Sequence, residues 1–220
     1  MSQQRICVFP IPQTSVLPFQ TIQLHVFEPR YRAMVKRCVE NGELMAVALA
    51  EKPIGEKVGS GESSEHILSS NQQSYEPAGV FSAGKVEIVK EFEDGRFLIE
   101  STAQDRFRLK KWVQQVPYLV GECERYSPGH IDVEKWQRLQ MQMKNLLGKH
   151  FAALDKELLS QSESDDVKFF HLLSRFQWPA EEVQKFLELE TTDIMADSLL
   201  NTLKGVQLVT GGETPGPGLH

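Results

Sequence analysis

The sequence predicts an α+β fold: a β-rich first half with one short helix, followed by an α-helical bundle. Three observations predict it. Apolar residues recur with period two through most of the first 126 residues, and Asp94-Gly95 sits between two alternating runs as a hairpin turn pair. Beyond Ser127-Pro128-Gly129 the period changes to that of a helix.

Taken in order, Ile6 to Phe9 is a short apolar strand that Pro10 and Pro12 stop. After Val16-Leu17-Pro18-Phe19, Ile22, Leu24 and Val26 alternate with Thr21, Gln23 and His25, as in a half-buried strand. Pro29 suits a first helical turn, and Tyr31, Met34, Val35, Cys38 and Val39 then share one helical face. Arg30, Arg32, Lys36 and Arg37 lie opposite as a wet face, and Asn41-Gly42 ends the helix. Leu44 to Ala50 is a buried strand opening onto residues 51–78, rich in Gly, Ser and Glu. That stretch predicts a long mobile loop, for which disorder is the simpler account. Lys85 to Arg108 predicts a hairpin with a type I′ turn at Asp94-Gly95. A further strand follows, with Phe107 and Leu109 on one face and Arg106, Arg108 and Lys110 on the other, and Tyr118 to Cys123 adds another.

In the second half, Trp136, Leu139, Met143, Leu146, Leu147, Phe151, Leu154 and Leu158 keep helical spacing, giving one long helix or two broken near Gly148. Ser164 is a candidate cap for a helix carrying Val167, Phe170, Leu173 and Phe176. Trp178-Pro179-Ala180-Glu181-Glu182 opens a third, and Thr191 or Thr192 opens a fourth that ends at Gly205. The expected organisation is a strand-rich unit over 5–126, a bundle over 131–205 and a disordered tail over 206–220.

Composition bounds the function. Of 220 residues, 40% are hydrophobic and 25% charged, an ordinary globular balance. No run approaches the apolar length of a membrane span, and Cys7, Cys38 and Cys123 form no C-x-x-C pair, so a cytoplasmic protein with free thiols is expected. Basic and acidic residues number 15 and 16 through Tyr126, and 9 and 14 beyond it. The acidic second half disfavours nucleic acid, leaving Arg106, Arg108, Lys110 and Lys111 as a candidate basic stripe whose simpler account is a charge-guarded sheet edge.

No catalytic constellation emerges, and no cofactor is expected. Gly79 to Lys85 matches G-x-x-x-x-G-K, but Val86 has no hydroxyl for Mg²⁺ and the chain runs into a strand, where a phosphate loop needs a helix N-terminus. The six histidines show no metal-binding spacing. No G-x-S-x-G elbow is present, and Cys38 falls on an apolar helix face.

Phe9-Pro10-Ile11-Pro12, Val16-Leu17-Pro18 and Leu24-His25-Val26-Phe27-Glu28-Pro29-Arg30-Tyr31 together resemble the opening signature of the Lon protease N-terminal domain family. Phe27-Glu28-Pro29-Arg30-Tyr31 is the most specific part, and the resemblance extends through Arg106-Phe107-Arg108-Leu109 to the last helices, about residues 5 to 204. Where the family usually has a Gly before its Arg-Phe-Arg segment, this chain has Ala103-Gln104-Asp105. The resemblance implies a PUA-like pseudo-barrel before the bundle and a module that engages unfolded polypeptide segments or a protein partner. With no room for an ATPase and a peptidase in 220 residues, it implies a stand-alone, non-enzymatic protein, open to homo-oligomer formation. In the pentapeptide, Phe27 is expected to close the core, Glu28 to face the helix N-terminus, Arg30 to pair back to a carboxylate and Tyr31 to pack inward. The candidate binding residues are Phe27, Arg30, Tyr31, Arg106, Arg108 and Lys110, with RNA binding through the barrel and the Arg106–Lys111 strand as the rival function.

Overall fold

The computed structural model describes residues 3–54, 74–126, 129, 131–148 and 165–209. Among the described residues the elements run β1 (Gln3–Ile11), β2 (Thr21–Val26), α1 (Pro29–Asn41), β3 (Leu44–Ile54), β4 (Ser74–Pro77), β5 (Val80–Glu91), β6 (Phe97–Gln114) and β7 (Leu119–Arg125), then α2 (Val133–Leu147), α3 (Asp165–Ser174), α4 (Ala180–Glu188) and α5 (Thr192–Val209). The strands pair in the order β1-β7-β6-β5-β3-β4, and a parallel pairing of β1 with β3 returns the path to its start. Five strands thereby close into a barrel, while β2 hangs on β6 and β4 on β3.

The core lies in three layers. Ile6, Val8, Ala46, Ala48, Phe81, Ala83, Phe107 and Cys123 form one cluster, where small alanines leave room for the five barrel strands to close around two phenylalanines. On the opposite face, Cys7, Met45, Val47, Val86, Phe97 and Ile99 receive Tyr31, Met34, Val35 and Cys38 of α1. Leu17 and Val80 join Trp136, Leu139, Met143, Phe169, Phe170 and the inner faces of α4 and α5 in the third.

Several expectations change. β1 continues through Pro10, which takes a register position opposite Ala48 in the parallel pair with β3. Residues 51–54 and 74–77, expected to be loop, pair as strands, so the expected long loop is shortened at both ends and its middle lies outside the described residues. The hairpin turn is not type I′: Gly95 N–H donates to Phe92 O (2.8 Å) and Phe92 N–H to Arg96 O (2.9 Å), with positive φ at Gly95 alone. That is a three-residue loop, a type I turn followed by a left-handed residue. The hairpin's second arm and the further strand are one strand, β6.

At the β5–β6 bulge Gly84 is required, because a Cβ there would lie 1.8 Å from the Thr102 carbonyl oxygen. α1 starts on Pro29 and ends at Gly42 as expected, although Val39 is exposed. α2 ends at Gly148, favouring the broken-helix alternative; Phe151, Leu154, Leu158 and Ser164 lie outside the described residues. α5 passes Gly205 and reaches Val209, so the expected tail is helical at its start, and 210–220 lie outside the described residues. Gly79 leads directly into β5, the strand context that excludes a phosphate loop.

Candidate functional site

The pentapeptide forms a closed corner. Arg30 Nε donates to Glu28 Oε2 at 2.8 Å, the Arg30 guanidinium lies 4.5 Å from the Tyr31 ring centroid, and Tyr31 stacks on Phe9 at 4.1 Å. Burial pushes the Tyr31 phenol above its ordinary pKa. The expected roles of Arg30 and Tyr31 are thus met locally, and Arg30, only 13% exposed, is not on a wet face. Phe27 is the correction: at 65% exposed it closes no core and stands at the end of β2.

The basic strand is corrected more deeply. Arg106 is 2% exposed, with Nη1 2.7 Å from Leu187 O, 2.9 Å from Leu189 O and 3.4 Å from Phe186 O. Phe186 and Leu187 lie in the last turn of α4 and Leu189 caps it, so the arginine sits at a helix C-terminus, where the dipole favours a cation. Its guanidinium lies 4.5 Å from the Tyr126 ring and 5.5 Å from that of Phe170, and Nε and Nη2 have no hydrogen-bond partner. Burial pushes its pKa down to about 10. Arg108 also lies over that ring, 4.1 Å from the Tyr126 centroid, while Lys110 pairs with Glu124 at 2.7 Å and Lys111 with Glu122 at 3.2 Å. The stripe is therefore a buried pin, a stacked arginine and two neutralised lysines, not a free basic face. Alternation correctly set Arg106 opposite Phe107; it could not show that the bundle covers that side.

Beside this joint the surface opens. A cavity of about 580 Å³ is lined by the β1–β2 connection, including Ser15 and Phe19, the first residues of β2, and His171, Ser174 and Arg175 of α3 and its end. A second, of about 530 Å³, shares Ser15 and Gln20 with it and is bounded by Phe176, Trp178 and Val183. Together they form a groove between the strand layer and the bundle. Its walls are fixed: Ser15 Oγ donates to Gln184 Oε1 (3.2 Å), Gln184 Nε2 to Val80 O (3.0 Å), Gln20 Nε2 to Ser174 O (3.4 Å) and Trp178 Nε1 to Leu173 O (2.9 Å).

Phe19 is the unusual member. It holds φ +67°, costly for a bulky side chain, while its N–H donates to Ala103 O at 2.9 Å and its ring stacks on His171 at 4.0 Å. Nothing in the sequence marked Phe19, Gln20, His171 or Trp178 as site residues; Pro18-Phe19 is only an interruption between two strands. Cys7, Cys38 and Cys123 are free and buried. The hydrogen bond with Cys38, and then burial, push the Cys7 thiol up, and burial pushes Cys123 up to about 12, so both resist ionisation. Among the described residues no cluster of three metal-ligating side chains occurs, and no helix is long and apolar enough to cross a membrane.

This fold, a closed strand barrel joined to a helical bundle, is similar to that of solved Lon N-terminal domains. The crystal structure of the Lon N-terminal domain protein from Xanthomonas campestris aligns over 90% of this chain and 98% of its own, with a TM-score of 0.57 and 20% identity. The N-terminal domain of the Mycobacterium avium complex Lon protease aligns over 91% and 98%, with a TM-score of 0.62 and 11% identity. The chain belongs to the ATP-dependent protease La (LON) substrate-binding domain family, whose model matches residues 5–205. No curated protein matches it.

Proposed function

We propose that this protein is a non-catalytic, cytoplasmic polypeptide-binding module, serving proteolysis as an adaptor, and that its binding surface is the groove between the strand layer and the bundle. The observation that carries this is the strained, half-buried Phe19 stacked on His171 at the wall of the 580 Å³ cavity. Strain of about 1–3 kcal/mol at a non-glycine residue persists where the surroundings impose it, typically at ligand-binding surfaces. The family match to a substrate-binding domain over 5–205 supports polypeptide as the ligand class, and three free, buried cysteines suit a reducing compartment. The PUA-like description of the barrel and the boundary near 127–130 between the two units are part of the same proposal. Of the candidate residues, Phe27 is kept at the surface end of β2, whereas Arg30, Tyr31, Arg106, Arg108 and Lys110 are given architectural roles.

The test is fluorescence anisotropy with labelled, reduced and carboxymethylated α-lactalbumin as a permanently unfolded chain, against its folded form and a single-stranded oligouridine. Preference for the unfolded chain that survives 0.5 M salt, and about a tenfold loss on Phe19→Gly, are expected. Glycine accepts the backbone of residue 19, so this variant removes the ring without imposing strain. Binding to oligouridine alone, and only at low salt, would instead favour the RNA function.

A further inference from the structure

β2 is an edge strand, and its sequence Thr-Ile-Gln-Leu-His-Val contains no Asp, Glu, Lys or Arg, no proline and no bulge. Sheet edges are normally protected by such features or by brevity, because unpaired main-chain groups recruit other strands. The other strand that ends the pairing order, β4, shows the protection: it is four residues long and carries Glu76 and Pro77. Among the described residues, β2 pairs with β6 and with no other strand.

The phase of the ladder identifies the open groups. Ala103 N–H donates to Gln20 O at 3.0 Å, continuing the register in which Thr21 faces Thr102. In an antiparallel ladder the main-chain groups of Ile22, Leu24 and Val26 then point to β6, and those of Thr21, Gln23 and His25 point away. The Thr21–Thr102 hydroxyl contact (2.9 Å) and the Gln23–Glu100 bond (2.7 Å) agree, since side chains approach most closely at the non-hydrogen-bonded pairs. The strand begins in the cavity, whose lining includes Thr21 and Ile22 beside Phe19, and ends at exposed Phe27.

We propose that an extended, uncharged segment of a client polypeptide adds to β2 as a further strand, hydrogen-bonding Thr21, Gln23 and His25, with one apolar side chain in the cavity beside Phe19 and another against Phe27. This rests on the polypeptide-binding function proposed above and gives it a mode: the main chain supplies sequence-tolerant affinity, and the two aromatic ends select apolar residues. A client is the occupant because the edge is continuous with the groove, so one chain of roughly 20 Å fills both.

Gln23→Pro deletes an outward N–H at a position where an edge strand accepts proline, and Gln23→Lys installs a charged guard. Both are read with the unfolded α-lactalbumin probe, with the thermal midpoint by circular dichroism and the oligomeric state by sedimentation. The expected result is an unchanged midpoint and binding weaker by about tenfold or more in both. If Gln23→Pro lowers the midpoint, Gln23→Lys decides. Unchanged binding in Gln23→Lys, with weakened binding in Phe19→Gly, would overturn strand addition and leave the groove function standing. No binding by the unmodified protein would remove both, and a dimer that Gln23→Lys dissociates without touching probe binding would make a second copy the occupant and overturn the proposal.

Discussion

At the joint around Arg106, the basic side chains of β6 are committed to partners within the chain: α4 carbonyls, the Tyr126 ring and, at the surface, Glu122 and Glu124. On β2, attached to the other part of the same strand, there is no Asp, Glu, Lys or Arg, and alternate main-chain groups face outward. The charged region is closed and the neutral one is open. A cluster of basic residues in a sequence therefore says little about a surface until its partners are known, whereas an edge strand without protective residues is informative through what it lacks.

The largest effect that this contrast predicts belongs to the joint. Arg106→Ala should cost about 3 kcal/mol or more, since it removes charged hydrogen bonds to the end of α4 and leaves a cavity under Tyr126 and Phe170. For a protein of this size that corresponds to a fall of roughly 6–12 °C in thermal midpoint. A loss below about 1 kcal/mol in urea titration would show that the pin is dispensable. Gly84→Ala should come next, at about 2 kcal/mol or more, because the new methyl meets backbone at Thr102 with no flexible side chain to give way. Calorimetry showing an unchanged midpoint would mean that the β5–β6 bulge can slide.

On the open side, Phe19→Gly should change stability by less than about 1 kcal/mol while weakening polypeptide binding, since relief of the positive φ offsets the lost contact with His171. A large destabilisation with unchanged binding would make Phe19 part of the architecture and move the site elsewhere.

How far each region was legible follows from how local its determinants are. The α1 face from Tyr31 to Cys38, the Pro29 start and the alternation of β2 are set by neighbours a few residues away, and they read correctly. The pairing of residues 51–54 with 74–77 depends on chain far apart in sequence, and its Gly- and Ser-rich surroundings suggested loop. Arg106 failed for a related reason: period two gives two faces, but only the tertiary arrangement decides whether the second meets water or another layer. Phe27 differs because alternation predicts a buried last apolar residue, whereas β2 ends at Val26 and leaves the next residue exposed. The groove was invisible, since Ser15, Phe19, His171 and Trp178 meet only when the β1–β2 connection packs on α3 and α4.

The smallest effect should come from the residues that the sequence made most conspicuous. Lys110→Ser with Lys111→Ser removes two ion pairs whose lysines are 43% and 65% exposed, and such pairs contribute about 0–1 kcal/mol each. The double variant should unfold within about 1 kcal/mol of the unmodified protein in urea, and its anisotropy with the unfolded chain should be unchanged at both salt concentrations. Because Glu122 and Glu124 lose their partners, it should also leave this face more acidic and bind oligouridine no better than before. A selective loss of oligouridine binding in this variant, with stability intact, would reverse the comparison and return the basic strand to the surface as the functional one.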